Sequence, residues 1–140
     1  MKGILTGSRY WTNVPQLERE LDALNLTFLA VGDCPCQRCK RLEECDPACP
    51  GVQSADAIGF RWAKRKGIPG RLYRANWGRF RNAAGPIRSE RMVRDNLDAT
   101  VALACIVDFD VCKGTRRCAQ FIRDILKFEP REIAERKETT

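Results

Sequence analysis

Two groups of residues have types and spacings suited to chemistry. Cys36, Cys39, Cys45 and Cys49 are spaced C-x2-C-x5-C-x3-C, and four thiolates so close in sequence can close a tetrahedral zinc site. They lie in CPCQRCKRLEECDPACPG (34–51), a stretch too short and too rich in proline and charge to order itself without a cross-link. Structural Zn2+ is the expected occupant. An iron–sulfur cluster, which also takes four thiolates, is the alternative, disulfides and free thiols remain open, and Cys34 is a fifth possible ligand. The second group begins with Gly7, Ser8 and Arg9, directly after an apolar run. There a glycine lets the backbone approach a ligand, a serine offers its hydroxyl, and an arginine sits where a phosphate would.

Composition narrows the chemistry. The chain of 140 residues has no histidine, which removes the usual general base and excludes Ser-His-Asp and Cys-His mechanisms. Any metal site must be rich in thiolate. Eight cysteines with no recognisable export signal point to metal binding or burial in a reducing compartment, so a cytoplasmic location is expected. With 44% hydrophobic and 31% charged residues, the composition is that of a globular domain. Its longest apolar run, 99–107, is too short to cross a bilayer, so no membrane partner is expected.

The net charge of +7 is uneven. Between Arg61 and Arg94 there are eleven Lys/Arg and one acid, Glu90, and arginine predominates over lysine. A planar guanidinium suits phosphate oxygens better than an ammonium does, so phosphate is the favoured partner chemistry.

Hydrophobic periodicity predicts alternating strands and helices. A strand at 3–6 leads to a helix near 14–24, capped by Thr12 or Asn13, with Leu17, Leu21 and Leu24 on one face. A strand at 26–32 runs into the cysteine stretch. Ser54 then caps a helix that ends at Gly67, a strand fits 70–75, and a glycine- and arginine-rich loop reaches Gly85, with Pro86 opening a helix to Asn96. The continuously apolar ATVALACIV (99–107) is the expected central strand. An amphipathic helix from Gly114, an edge strand near 128–133 and a flexible tail at 135–140 complete the chain. This order implies one α/β domain over 1–134, with a Rossmann-like parallel sheet of four or five strands, helices on both faces and a cysteine-rich insertion at 33–51. Ligands of such sheets bind beyond the carboxyl ends of the strands.

In order and spacing, GSRYW, SADAIGFRWAKRKGI, ANW, AGPIRSERMV and KGTRRC resemble the SLOG superfamily, in particular its small bacterial and phage branch with a Gly-Ser-Arg motif. The resemblance spans most of the chain and implies a domain that binds nucleotides or molecules derived from them. Carried over by position, Gly7, Ser8 and Arg9 match the first loop, Ser54, Ala55 and Asp56 the second, and Trp77 the aromatic after the third strand. Gly85, Pro86 and Arg88 match the fourth motif, and Gly114 and Thr115 the last phosphate turn. In those positions Asp56 would accept ribose hydroxyls and Trp77 would stack on a base. Ser89 replaces the branch's asparagine. Arg116 and Arg117 follow the glycine-threonine turn where the hydrolytic Lonely-guy members carry a glutamate. The inserted loop resembles a zinc knuckle with cysteine in place of histidine.

The expected function is therefore sensing or sequestering a phosphorylated nucleoside derivative, such as an ADP-ribose-like or cyclic nucleotide signal. Two alternatives are a nucleotide N-glycosidase using Asp56 or Glu90, and single-strand nucleic-acid binding by the basic segment. Self-association into a homo-oligomer is compatible with all three. Cys105 and Cys118 are expected to be small buried apolar groups, and Cys112 lies beside the last phosphate turn.

Overall fold

The computed structural model describes residues 1–34, 42, 46, 48–49, 54–107 and 113–136. Five parallel strands, β1 (Lys2–Gly7), β2 (Phe28–Gly32), β3 (Gly70–Tyr73), β4 (Val101–Ile106) and β5 (Arg131–Ala134), pair in the order β3-β2-β1-β4-β5. This is the expected Rossmann-like sheet, with one correction. The middle strand is β1, and β4 lies beside it. The apolar run of β4 follows from its place between β1 and β5 with helices over both faces, a condition that β1 shares.

Strand parity divides the core in two. Leu5, Leu29, Val31, Leu103 and Cys105 face helices α1 (Val14–Asp22) and α2 (Ala55–Lys66), where they pack on Leu17, Leu21, Ile58 and Trp62. Ile4, Ala30 and Ala102 point the other way, onto Met92 and Val93 of α4 (Ala84–Arg94) and Cys118 of α5 (Lys113–Phe121). Cys105 and Cys118 are fully buried, and burial raises the pKa of each thiol, to about 11 for Cys118, as suits small apolar side chains.

The caps follow local sequence. The Asn13 side chain accepts the Gln16 N–H at the start of α1, with Pro15 in the first turn, and Gly67 closes α2 in a left-handed conformation. Between β3 and α4 the expected loop is instead helical. A single turn α3 (Trp77–Phe80), capped by Asn76, and a 3-10 turn at Arg81–Ala83 lead directly into α4, which begins before Pro86. Proline fits a first helical turn because its missing N–H has no partner to lose there.

Residues 135–136 are not a loose tail. One carboxylate oxygen of Glu135 accepts the backbone N–H groups of Thr12 (2.6 Å) and Asn13 (2.8 Å), and Gln16 bridges Ala134 and Arg136. A carboxylate at the start of α1 also complements the helix dipole. Glu135→Ala is expected to cost about 0.5–2 kcal/mol, the range for a lost side-chain cap at a helix start, read as a lowered denaturation midpoint. Among the described residues no helix is long and apolar enough to cross a membrane.

Candidate functional site

A cavity of about 350 Å³ lies at the carboxyl end of the sheet, within the size range of small-molecule sites. It opens between the parallel strands β1 and β4, where the strand order reverses, the usual ligand position in an open α/β sheet. Its walls come from separate elements: Thr6 to Tyr10 at the end of β1 and just beyond it, Cys34 after β2, Asp56 on α2, Arg88 on α4, and Lys113 to Thr115 opening α5.

The first loop is shaped by its own hydrogen bonds. The Ser8 N–H donates to Cys105 (3.0 Å), the Ser8 carbonyl accepts from Ala55 (3.1 Å), and the Ser8 hydroxyl accepts the Tyr10 N–H (3.0 Å). Ser8 therefore builds the turn that ties β1, β4 and α2 together, while Arg9 stands exposed at the cavity mouth. Opposite it, Lys113, Gly114 and Thr115 form the first turn of α5. The early amides of a helix lack intrahelical acceptors and attract anions.

The second loop holds a carboxylate in place. Ser54 has a left-handed backbone (φ 81°), uncommon for a residue with a side chain. Its hydroxyl donates to the Cys34 carbonyl (2.6 Å) and accepts the Ala57 N–H (3.3 Å). This strained cap sets Asp56, only 4% exposed, on the cavity wall. Burial pushes the Asp56 carboxyl up to about 7, with Arg88 opposing the shift and Asp33 adding to it. Cys34, on the same wall, also has a raised pKa, mainly from burial and then from Asp56.

Arg88 reaches in from the far side of the sheet, and its Nη1 donates to the Tyr73 carbonyl (3.2 Å). Gly32 makes room for this meeting. A Cβ there would lie 2.7 Å from Arg88 Nη1 and 2.9 Å from Asp56 Oδ2. Asp33, the next residue, has a side chain only 5% exposed and accepts from Arg74 Nε (2.7 Å).

Of the residues expected from sequence, Gly7, Ser8, Arg9, Asp56, Arg88, Gly114 and Thr115 line this cavity, and Ser54 supports it from behind. Trp77 and Gly85 are not on its wall. Trp77 is 57% exposed on α3, its ring edge against Gly85. Glu90 is also elsewhere, paired with Arg94 on the outer face of α4 (2.9 Å). Sequence reading missed Thr6, Tyr10, Cys34 and Lys113 on the wall and Asp33 behind it. Asp33 and Cys34 follow β2 as Ser8 follows β1, and that shared position was the available signal. Of the four expected zinc or iron–sulfur ligands, Cys36, Cys39 and Cys45 lie outside the described residues, as does Cys112. Cys49 is partly buried. Among the described residues no cluster of three or more metal-ligating side chains is placed to hold an ion.

Among the described residues, the cavity offers two exposed cations, a partly buried guanidinium and helix-terminal amides around one carboxylate, an arrangement suited to an anion that also carries hydroxyl groups. The chain matches no known family, no curated protein and no solved structure, so its functional reading rests on these residues and their geometry.

Proposed function

We propose that the protein binds a phosphorylated nucleoside derivative at this cavity, in keeping with the SLOG resemblance, and senses or sequesters it. The observation that carries the reading is the convergence of Arg9, Arg88, Lys113 and the first turn of α5 on one space. Charge-assisted hydrogen bonds to phosphate are the strongest polar contacts such a site can make. The phosphate belongs between Arg9 and Gly114–Thr115, and the sugar toward Asp56. Calorimetry with adenosine 5′-phosphates and inorganic pyrophosphate tests it. Arg9→Ala combined with Lys113→Ala is expected to weaken both ligands about a hundredfold or more, since each charged hydrogen bond is worth roughly 1.5–3 kcal/mol and each 1.4 kcal/mol is about tenfold. Absence of binding by the intact protein would refute the reading.

Hydrolysis of the N-glycosidic bond is a second reading, favoured by one observation. A buried carboxyl with a pKa of about 7 is matched to proton transfer at neutral pH. Release of free base from nucleoside monophosphates, lost in Asp56→Asn, would establish turnover. Binding of single-stranded nucleic acid is a third, for which the exposed Trp77 beside the basic segment speaks. Steep salt dependence with oligonucleotides, absent with mononucleotides, would select it.

A further inference from the structure

Among the described residues five large apolar side chains are exposed: Met1, Tyr10, Trp77, Ile87 and Leu97. Of these, Tyr10 alone lies on the cavity wall, and it is the one aromatic ring among the described lining residues. It is 43% exposed. A single exposed ring on an open surface needs no explanation. This one stands at the mouth of a cavity whose other side chains are mostly polar or charged.

The loop holds Tyr10 there from both sides. Its N–H donates to the Ser8 hydroxyl (3.0 Å), and the Ser8 backbone is itself bonded to Cys105 and Ala55. On the other side Trp11 is fully buried. The Trp11 N–H donates to the Ser8 carbonyl (3.3 Å) and its Nε1 to the Asn13 carbonyl (2.9 Å). Trp11 therefore anchors the loop inside the fold, while its neighbour Tyr10 borders the cavity. An aromatic side chain carried on a fixed turn loses little conformational entropy when a ligand covers it.

The ring offers a flat apolar face and a hydroxyl. A nucleobase has a π-face to lay against it, and a phosphate or pyrophosphate has none. Arg9, next to Tyr10 in the chain, is exposed at the same mouth and attracts the anion. A ligand that engages both neighbours joins an anion to a flat heterocycle.

We propose that Tyr10 is the platform on which the base of the bound ligand stacks, so that the cavity selects nucleotides over sugar phosphates. The inference rests on the preceding reading of the cavity as a site for a phosphorylated nucleoside. It gives to the first loop the stacking role that the resemblance implies for Trp77, which stands off the cavity wall.

The test is calorimetry of the full chain with AMP, ribose 5-phosphate and inorganic pyrophosphate. AMP is expected to bind at least about tenfold more tightly than ribose 5-phosphate, the margin that stacking a base on an aromatic side chain supplies. Tyr10→Ala is expected to remove most of that margin while ribose 5-phosphate and pyrophosphate bind as before, which shows that the variant is folded. Tyr10→Phe should keep the margin, and Trp77→Ala should leave it unchanged. Should Tyr10→Ala fail to fold, Tyr10→Leu, which keeps apolar volume and removes the ring, serves in its place. Equal affinity of the intact chain for AMP and ribose 5-phosphate, a margin lost in Trp77→Ala, or a margin kept in the ringless Tyr10 variant would overturn the base platform and leave the anion site standing. If none of the three ligands binds the intact chain, the anion reading falls and the platform with it.

Discussion

Asp56→Asn is expected to make the protein more stable at alkaline pH, although it removes a residue at the centre of the candidate site. The sign follows from proton linkage. Unfolded, the carboxyl titrates near 3.8, and in the folded chain burial pushes it up to about 7. Between these values the folded state binds more protons than the unfolded state, so stability falls as pH rises through that interval. Above pH 7 the full cost is present, about 4 kcal/mol for a shift of this size. Other groups facing Asp56 do not reproduce the trend. The Cys34, Cys105 and Cys118 thiols, all with raised pKa values, stay neutral over this range. Asparagine cannot ionise, so its variant should lose most of the decline in stability between pH 5 and pH 8. At pH 8 it should exceed the native chain by a few kcal/mol, less the cost of orienting a buried amide. Urea denaturation at both pH values measures the difference. An unchanged pH slope in the variant would mean that Asp56 is already satisfied or solvated in the folded chain.

A buried charge kept at this cost is a stability sacrifice of the kind found at functional sites. The strained Ser54 cap belongs to the same account. Arg88 reduces the penalty without removing it, and Asp33 adds to it.

The scaffold was largely legible because burial leaves a periodic trace. Leu17 and Leu21 mark the inner face of α1, and the unbroken run in β4 marks a strand covered on both sides. The first and last loops of the cavity were legible for a related reason. They come after β1 and β4, at the carboxyl end of the sheet, and in parallel sheets those positions meet. Residues between β3 and α4 were harder to place. Gly78, Arg79, Arg81 and Gly85 have loop-like composition, but the Asn76 cap and the fit of Pro86 to a first turn made the segment helical and left Trp77 off the cavity wall. Asp33 and Cys34 were hidden by the cysteine-rich stretch that follows them. Nothing local distinguishes a residue ending a strand from one opening an insertion. The raised pKa of Asp56 was invisible in sequence, because it arises from burial and from Asp33, against the opposing charge of Arg88, and both residues are distant along the chain.

Adding one methyl group at Gly7 and at Gly32 is expected to separate folding from binding. At Gly7 a Cβ would lie 2.5 Å from the Ala55 Cβ and 2.8 Å from the Cys105 Cβ. Both of those atoms are fixed to backbone, one at the start of α2 and one in β4, so relief requires moving a helix or a strand. The Ser8 hydrogen bonds to Cys105 and Ala55 fix the same spacing. Gly7→Ala should therefore cost about 3 kcal/mol or more, at the upper end for overpacked cores, and Gly7→Val should not fold. At Gly32 the nearest atoms are Arg88 Nη1 at 2.7 Å and Asp56 Oδ2 at 2.9 Å. A guanidinium at the end of a flexible side chain can swing aside, so Gly32→Ala should lose only about 1 kcal/mol of stability. It displaces two polar groups of the cavity wall, however, and nucleotide affinity should fall at least about tenfold. Thermal denaturation and calorimetry on the same two preparations resolve the contrast. Comparable unfolding of both variants, or a Gly32→Ala protein that binds AMP as the native chain does, would show that Arg88 and Asp56 do not meet the ligand where the strand end places them.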